Sequence, residues 1–213
     1  MGSTNIKSAD SAKEMRISRL NDLTDTLAKQ GYTRNDQIIS VRSANIAAVG
    51  VCLPIIALFV VLFALRNGIH FSHSGGDTLI CIVLFVVLTV VHELIHGFVW
   101  SLFAKGHFKS IQFGITKGTP YCTCVEPLKK GAYILGSIMP GVILGIIPSL
   151  ISVFCNSGLM LFIGSVMILG AGGDFINIIK MLRYDTEGKD VIIMDHPSEI
   201  GFVVFERASA TGK

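Results

Sequence analysis

Residues 79–104 read "LICIVLFVVLTVVHELIHGFVWSLFA", an apolar run that carries two histidines and a glutamate in its second half. A helix needs about 20 residues to cross the hydrocarbon core of a bilayer, so this run is long enough to span one. Ionisable side chains are costly in such surroundings unless they are paired or bind a ligand. His92, Glu93 and His96 therefore indicate a functional site inside an apolar helix.

The composition and the sequence indicate that this apolar run is one of several. The chain has 213 residues, 51% of them hydrophobic and only 15% charged, with a mean hydropathy of +0.62. A soluble domain carries roughly a quarter charged residues. Further apolar runs cover residues 44–65, 132–154 and 159–179. Together these features predict an all-α polytopic membrane protein with about four transmembrane helices.

The basic residues predict how such a protein is oriented. Five lysines lie between the second and third runs: Lys105, Lys109, Lys117, Lys129 and Lys130. Arg66 is the one basic residue between the first and second runs. By the positive-inside rule, the lysine-rich segment and both termini are expected in the cytoplasm, with the chain in the plasma membrane. The net charge of +3 is a topology signal, and no basic cluster indicates a nucleic-acid partner.

Three segments are expected along the chain. Residues 1–43 are predicted to be a cytoplasmic lead with an amphipathic helix that ends near Gly31. Residues 44–182 are predicted to form the membrane domain, including a small cytoplasmic β-hairpin at about 108–126 around "TKG". Residues 183–213 are predicted to form a cytoplasmic tail with two β-like runs. The hairpin and the tail lie on the same predicted side of the membrane, so they could pair with each other.

The spacing in "HELIH" predicts a metal site. His92 and His96 lie four residues apart, so their imidazoles project from one face of a helix and can share one ion. In H-E-x-x-H metallopeptidases the two histidines bind zinc, and the glutamate acts as general base towards a bound water. Glu93 is therefore the predicted catalytic base.

Catalytic zinc usually has three protein ligands and a water molecule. Across the four apolar runs the carboxylates are Glu93 and Asp174, so Asp174 is the predicted third ligand. His107 and Glu126 are the nearest alternatives, although both lie outside the runs.

Two further residues are candidates for substrate binding. Asn177 lies three residues after Asp174, on the same helical face, and is expected to orient that carboxylate or to bind substrate backbone. Pro140 interrupts the third run and is expected to produce a kink beside the site, because proline leaves carbonyl groups that neighbours or water must satisfy. For both residues, helix packing is the alternative.

These motifs resemble known intramembrane proteases. An H-E-x-x-H in one span and an aspartate in a later glycine-rich span are similar to the site-2 intramembrane zinc metalloproteases. More closely, "VVHELIHG", the hairpin, the proline-containing third span and "GGD" resemble a bacterial membrane family described as putative zincin peptidases, over roughly residues 40–205. The resemblance implies that His92, His96 and Asp174 are the metal ligands and that Glu93 is the base. It also implies a membrane protein or peptide as substrate.

The predicted function is zinc-dependent intramembrane or juxtamembrane hydrolysis of peptide bonds, with one zinc ion per chain. The alternative is a non-catalytic, metal-binding membrane sensor or regulatory protein. A metal transporter is a third and weaker interpretation, because the outer halves of the spans contain no further ligands. The C-x-C at Cys122 and Cys124 is interpreted as a pair of reduced strand cysteines rather than as a second metal site.

Overall fold

The computed structural model describes residues 2–68, 75–116 and 118–209, and most of them are helical. The α-helices in this part of the chain are α1 (Gly2–Ala28), α2 (Val41–Asn67), α3 (Gly75–Ser101), α4 (Lys130–Pro140), α5 (Ile147–Cys155), α6 (Gly158–Gly170) and α7 (Gly172–Arg183). The strands are β1 (Thr33–Ile38), β2 (Ile111–Thr116), β3 (Thr119–Cys124), β4 (Leu128–Lys129), β5 (Lys189–Asp195) and β6 (Gly201–Ala208). A 3₁₀ turn, His107–Ser110, precedes β2.

Among the described residues, three continuous helical segments are long and apolar enough to cross a membrane: Val41–Asn67, Leu79–Ser101 and Lys130–Cys155. The pair α6 and α7 meets the same criterion when it is taken together, so the number of such segments is three or four. Only 17% of the apolar window of the first segment and 11% of that of the second are buried inside the protein. Their large outward apolar surfaces are of the kind that a bilayer or another protein covers.

The third segment is continuous but irregular. A π-helical stretch, Gly141–Ile146, joins α4 to α5 directly after Pro140. The side chain of Pro140 is fully buried. In a π-helix each hydrogen bond spans five residues instead of four. Here this change follows directly after a proline, which has no backbone N–H to donate.

Small residues allow α5 and α6 to approach closely after the turn at Asn156. A Cβ atom on Gly164 would lie 2.3 Å from Ser149 Oγ and 2.9 Å from the Gly145 carbonyl oxygen. No side chain larger than hydrogen fits at Gly164 without separating the helices. Such contacts are typical of helix pairs that pack without a hydrophobic driving force.

The fourth apolar run, expected as one span, is broken. Helices α6 and α7 meet at Ala171 with a bend of 50°. Gly172 lies at this break against α2, where an added Cβ atom would be 2.7 Å from the Ala48 Cβ atom. The break follows from this close approach and from the flexible sequence "GAGG", in which glycine is a poor helix former.

The strands form two separate sheets. One has four antiparallel strands in the order β1-β6-β5-β4, and the other is the hairpin of β2 and β3. The hairpin at 108–126 and the two tail strands are thus where the sequence predicted them. The suggested pairing of the hairpin with the tail is wrong for the described residues, because β1 and β4 occupy the two edges of the β5–β6 pair.

The N-terminal helix packs on the four-stranded sheet. Leu20 and Leu27 are buried against a cluster that includes Val203 and Phe205 of β6. The amphipathic helix predicted in residues 1–43 is therefore present, and it ends at Ala28, three residues before Gly31 (φ +82°). The strand that follows, β1, was not predicted.

An ionic network joins neighbouring strands at one end of this sheet. The Asp190 carboxylate accepts hydrogen bonds from Lys129 Nζ at 2.7 Å, the Tyr32 hydroxyl at 2.6 Å and Arg207 Nη2 at 3.1 Å. These donors, with Lys129 the strongest, lower the pKa of Asp190 to about 2. The network joins the segment before α2, the segment between α3 and α4 and the segment after α7.

Candidate metal centre

Two histidines of α3 and an aspartate of α7 converge. The His92 and His96 Nε2 atoms are 3.1 Å apart. The Asp174 Oδ2 atom lies 3.2 Å from His92 Nε2, and its Oδ1 atom lies 3.5 Å from His96 Nε2. The three candidate ligand atoms all lie within 4.8 Å of one another, as a shared metal ion requires. Both imidazoles are almost fully buried, whereas the Asp174 side chain is 24% exposed.

The helix break positions the carboxylate. Asp174 lies in the first turn of α7, directly after the bend at Ala171. The free backbone N–H groups and the dipole at a helix N-terminus favour a negative charge there. A straight helix through residues 158–183 would turn this face in another direction, so the bend is what directs Asp174 towards α3.

The backbone of α4 orients His96. The His96 Nδ1 atom lies 2.8 Å from the Gly136 carbonyl oxygen, which can only accept, so Nδ1 carries the proton and Nε2 is left free for a ligand. The Trp100 ring stacks on His96 with a centroid distance of 4.9 Å and an interplanar angle of 14°. Neither Gly136 nor Trp100 was predicted as part of the site, although Trp100 lies one helical turn after His96 and is the only tryptophan of the chain.

Strand β3 contacts the predicted base. The Val125 N–H donates to the Ser110 carbonyl oxygen at 2.9 Å, so these two residues form a hydrogen-bonded pair at the base of the hairpin. Because such pairs alternate along an antiparallel ladder, the Cys122 N–H points away from β2. It donates instead to the carboxylate of Glu93, which is half-buried beside the two histidines. The free edge of β3 therefore faces the site.

The two alternative ligands have other partners. The Glu126 carboxylate accepts hydrogen bonds from the Lys105 N–H at 2.8 Å and from the Ser110 hydroxyl at 2.8 Å. His107 Nδ1 lies 3.1 Å from the Ser101 carbonyl oxygen. Both side chains thus stabilise the turn between α3 and β2, and neither belongs to the group around Asp174.

The cysteines of the hairpin are free thiols. Burial raises the pKa of Cys124 to about 11, and burial also raises the pKa of Cys122 above its ordinary value. Both thiols are therefore protonated at neutral pH, whereas a metal ligand has to be a thiolate. The arrangement agrees with reduced strand cysteines.

The two candidates for substrate binding lie in different surroundings. The Oδ1 atom of Asn177 is buried and has no hydrogen-bond partner among the described residues. Pro140 is fully buried. Asn177 is left with an unused acceptor, and a role of either residue in substrate binding stays a prediction.

Comparison with known proteins identifies a family match. Residues 85–187 match the model of a family described as "putative zincin peptidase". The match supports a zincin-like family. The matched segment contains His92, Glu93, His96 and Asp174, which are the residues that converge in the structure. No curated protein and no solved structure matches the chain.

Proposed function

We propose that this chain is a zinc-dependent endopeptidase that hydrolyses peptide bonds within or next to a membrane. One observation carries the proposal. His92, His96 and Asp174 supply three ligand atoms within 4.8 Å of one another, while Glu93 lies beside them and is not required as a ligand. A protein that only stores or senses a metal has no need for a second carboxylate at that position.

The donor set fits zinc. Zinc is bound by imidazole nitrogen and carboxylate oxygen, and catalytic sites use three such protein ligands. A metal-binding histidine usually donates its other ring N–H to a carbonyl or carboxylate, which sets the tautomer. The contact of His96 Nδ1 with the Gly136 carbonyl oxygen is of this kind.

In the proposed reaction, zinc when bound lowers the pKa of water and polarises the scissile carbonyl group. Glu93 accepts a proton from the attacking water and delivers it to the amine that leaves. The Cys122 N–H holds the Glu93 carboxylate in place, and the Gly136 carbonyl oxygen holds the ring of His96. Both imidazoles are buried, so bulk water reaches the site from the side on which Asp174 is exposed.

We propose a multi-pass protein of a bacterial plasma membrane, with both termini and residues 105–130 in the cytoplasm. The four-stranded sheet supports this arrangement, because β1 precedes the first apolar segment, β4 follows the second, and β5 and β6 follow the fourth. Strands of one sheet lie on one side of a membrane. The bent pair α6–α7 then has to return the chain to the side of β1, which makes the number of crossings even.

Reporter fusions test this topology. A fusion at Asn156, in the turn between α5 and α6, is expected to report the outer side. Fusions at the N-terminus, at Lys105 and at the C-terminus are expected to report the cytoplasm, because lysine-rich segments stay inside. A cytoplasmic signal from the fusion at Asn156 would contradict the four-crossing arrangement.

We propose that Asn177 binds the backbone of the substrate. The proposal is supported by its buried, unpartnered Oδ1 atom on the helix that carries Asp174. Asn177→Leu, which is similar in size but has no amide, is expected to lower cleavage by roughly 2–10-fold, the value of one hydrogen bond. Zinc content is expected to be unchanged.

Asn67→Leu provides the control for this substitution, because the Asn67 amide donates to the Val153 carbonyl oxygen at the end of α2 rather than near α7. Equal cleavage by the natural chain and Asn177→Leu would leave Asn177 with a packing role alone.

The catalytic proposal itself is tested with co-expressed single-span membrane proteins. Fragments are expected that depend on both Glu93 and bound zinc. The further resemblance to site-2 proteases supports a membrane-spanning substrate, and fragments from soluble proteins alone would contradict it.

A further inference from the structure

Two aromatic side chains connect the candidate metal centre with the C-terminal sheet. The Trp100 ring stacks on His96 on one side and contacts Tyr133 on the other, with a centroid distance of 5.5 Å. Trp100 is 4% exposed and Tyr133 is 2% exposed. Tyr133 in turn contacts Phe202 of β6 at 6.4 Å between ring centroids. A continuous row of buried rings therefore runs from α3 through α4 to the sheet.

Hydrogen bonds fix the row to the backbone of α4. The Trp100 Nε1–H donates to the Tyr133 carbonyl oxygen at 3.2 Å, and the Ser137 hydroxyl donates to the same oxygen at 2.9 Å. One turn further on, the Gly136 carbonyl oxygen accepts from His96 Nδ1. A Cβ atom on Gly136 would lie 2.0 Å from Trp100 Nε1, so the indole fills all the space between the two helices.

The far end of the row is held by the tail. The Tyr133 hydroxyl donates to Asp195 Oδ1 at the end of β5. Thr123 of β3 lies near the same carboxyl group, whose Oδ2 atom has no hydrogen-bond partner among the described residues. Burial raises the pKa of Asp195 above its ordinary value, as expected for a carboxyl group withdrawn from water. Asp195 therefore joins α4, the hairpin and the C-terminal sheet at one point.

We propose that Trp100 and Tyr133 are positioning residues. Asp195 of the C-terminal sheet holds Tyr133, Tyr133 packs against Trp100, and Trp100 fixes the ring plane of His96. The inference rests on the proposed metal site. One hydrogen bond at Nδ1 fixes the tautomer of His96 but leaves the ring free to tilt about it. The stacked indole removes that freedom and points Nε2 at the position shared with His92 and Asp174. The C-terminal sheet thus supports the metal centre through this row of side chains, although it supplies no ligand.

The test measures metal affinity rather than turnover. The full-length natural chain in detergent is stripped of metal with a chelator and titrated with Co²⁺, with the absorption spectrum of the bound ion as the readout. Zn²⁺ affinity then follows from competition. Trp100→Leu, which removes the stack and the Nε1 hydrogen bond, is expected to weaken binding by about 10–100-fold, the range known for outer-shell partners. A shifted Co²⁺ spectrum is also expected, because His96 is then free to tilt.

Milder variants keep the inference testable if Trp100→Leu folds poorly. Trp100→Phe keeps an aromatic face on His96 and is expected to restore most of the affinity. Tyr133→Phe and Asp195→Leu, which each remove one partner of the hydrogen bond between the two side chains, are each expected to weaken Co²⁺ binding by a few-fold. The double variant is expected to lose no more than either single one, since both break the same contact.

Val203→Ala is the matched control, because it opens a cavity in the core between the sheet and α1, a cluster to which no ring of the row belongs. It is expected to lower the melting temperature and to leave the Co²⁺ affinity and spectrum unchanged. Natural affinity in both Trp100→Leu and Tyr133→Phe would overturn the inference. Equal losses in Val203→Ala and Trp100→Leu would also overturn it, because they would reflect general destabilisation. A natural chain that binds no Co²⁺ would overturn the metal site itself.

Discussion

Glu93→Gln is expected to lower the rate of peptide-bond cleavage by about 10²–10⁴-fold, the usual contribution of a general base. Glutamine has nearly the same size as glutamate but cannot accept the proton of the attacking water. Its side-chain oxygen can still accept the hydrogen bond from the Cys122 N–H. The three metal ligands are untouched, so zinc content and melting temperature are expected to stay at the natural values.

The measurement is the yield of fragments from co-expressed single-span membrane proteins, together with zinc analysis of the purified chain. Glu199→Gln is the control, because it makes the same chemical change at an exposed residue outside the site. Fragments that persist unchanged in Glu93→Gln, with zinc still bound, would count against catalysis here. The non-catalytic sensor would then be the better interpretation, and His92, His96 and Asp174 would serve only to bind the ion.

Loss of any one of the three proposed ligands is expected to reduce zinc binding by more than the 10–100-fold that outer-shell changes cause. The natural chain is expected to carry about one zinc ion, the stoichiometry of a mononuclear site. His92→Ala, His96→Ala and Asp174→Ala each leave two ligands, so each variant is expected to be purified with little zinc. Cleavage is expected to fall to background in all three.

His107→Ala provides the control, since it removes a histidine whose contact in the structure is with the Ser101 carbonyl oxygen. Its zinc content is expected to match that of the natural chain. Full zinc retention in Asp174→Ala would be the decisive contrary result. It would mean that the carboxylate in the first turn of α7 is not a ligand and that the third ligand lies elsewhere.

The proposed even number of crossings and the position of Asp174 depend on the same structural feature. The bend at Ala171 divides the fourth apolar run, and the chain after it has to rejoin β1 and β4 in one sheet. The bend therefore separates the apolar helix α6 from the helix that carries Asp174 and leads into the sheet. Gly172, against Ala48 of α2, is the residue that permits it.

Sequence alone determined the features that depend on neighbouring residues. The apolar runs predicted the helices of membrane-spanning length, because a helix satisfies its backbone hydrogen bonds within one segment. The four-residue spacing predicted that His92 and His96 share a face, and the structure agrees because helical geometry is local. The hairpin was also predictable, since β-forming residues flank a short turn that contains glycine.

Tertiary structure decided everything that depends on residues far apart in the chain. Strand β1, "TRNDQI", has no alternating apolar pattern, and its pairing with β6 is what makes it a strand. Tertiary contacts also place Glu126, the alternative ligand, in the turn before β2, where it accepts a hydrogen bond from the Lys105 N–H and lies outside the group around Asp174. The contact of Tyr133 with Asp195 joins residues 62 positions apart. No local pattern encodes such a contact, because it exists only after the helices and the sheet have packed together.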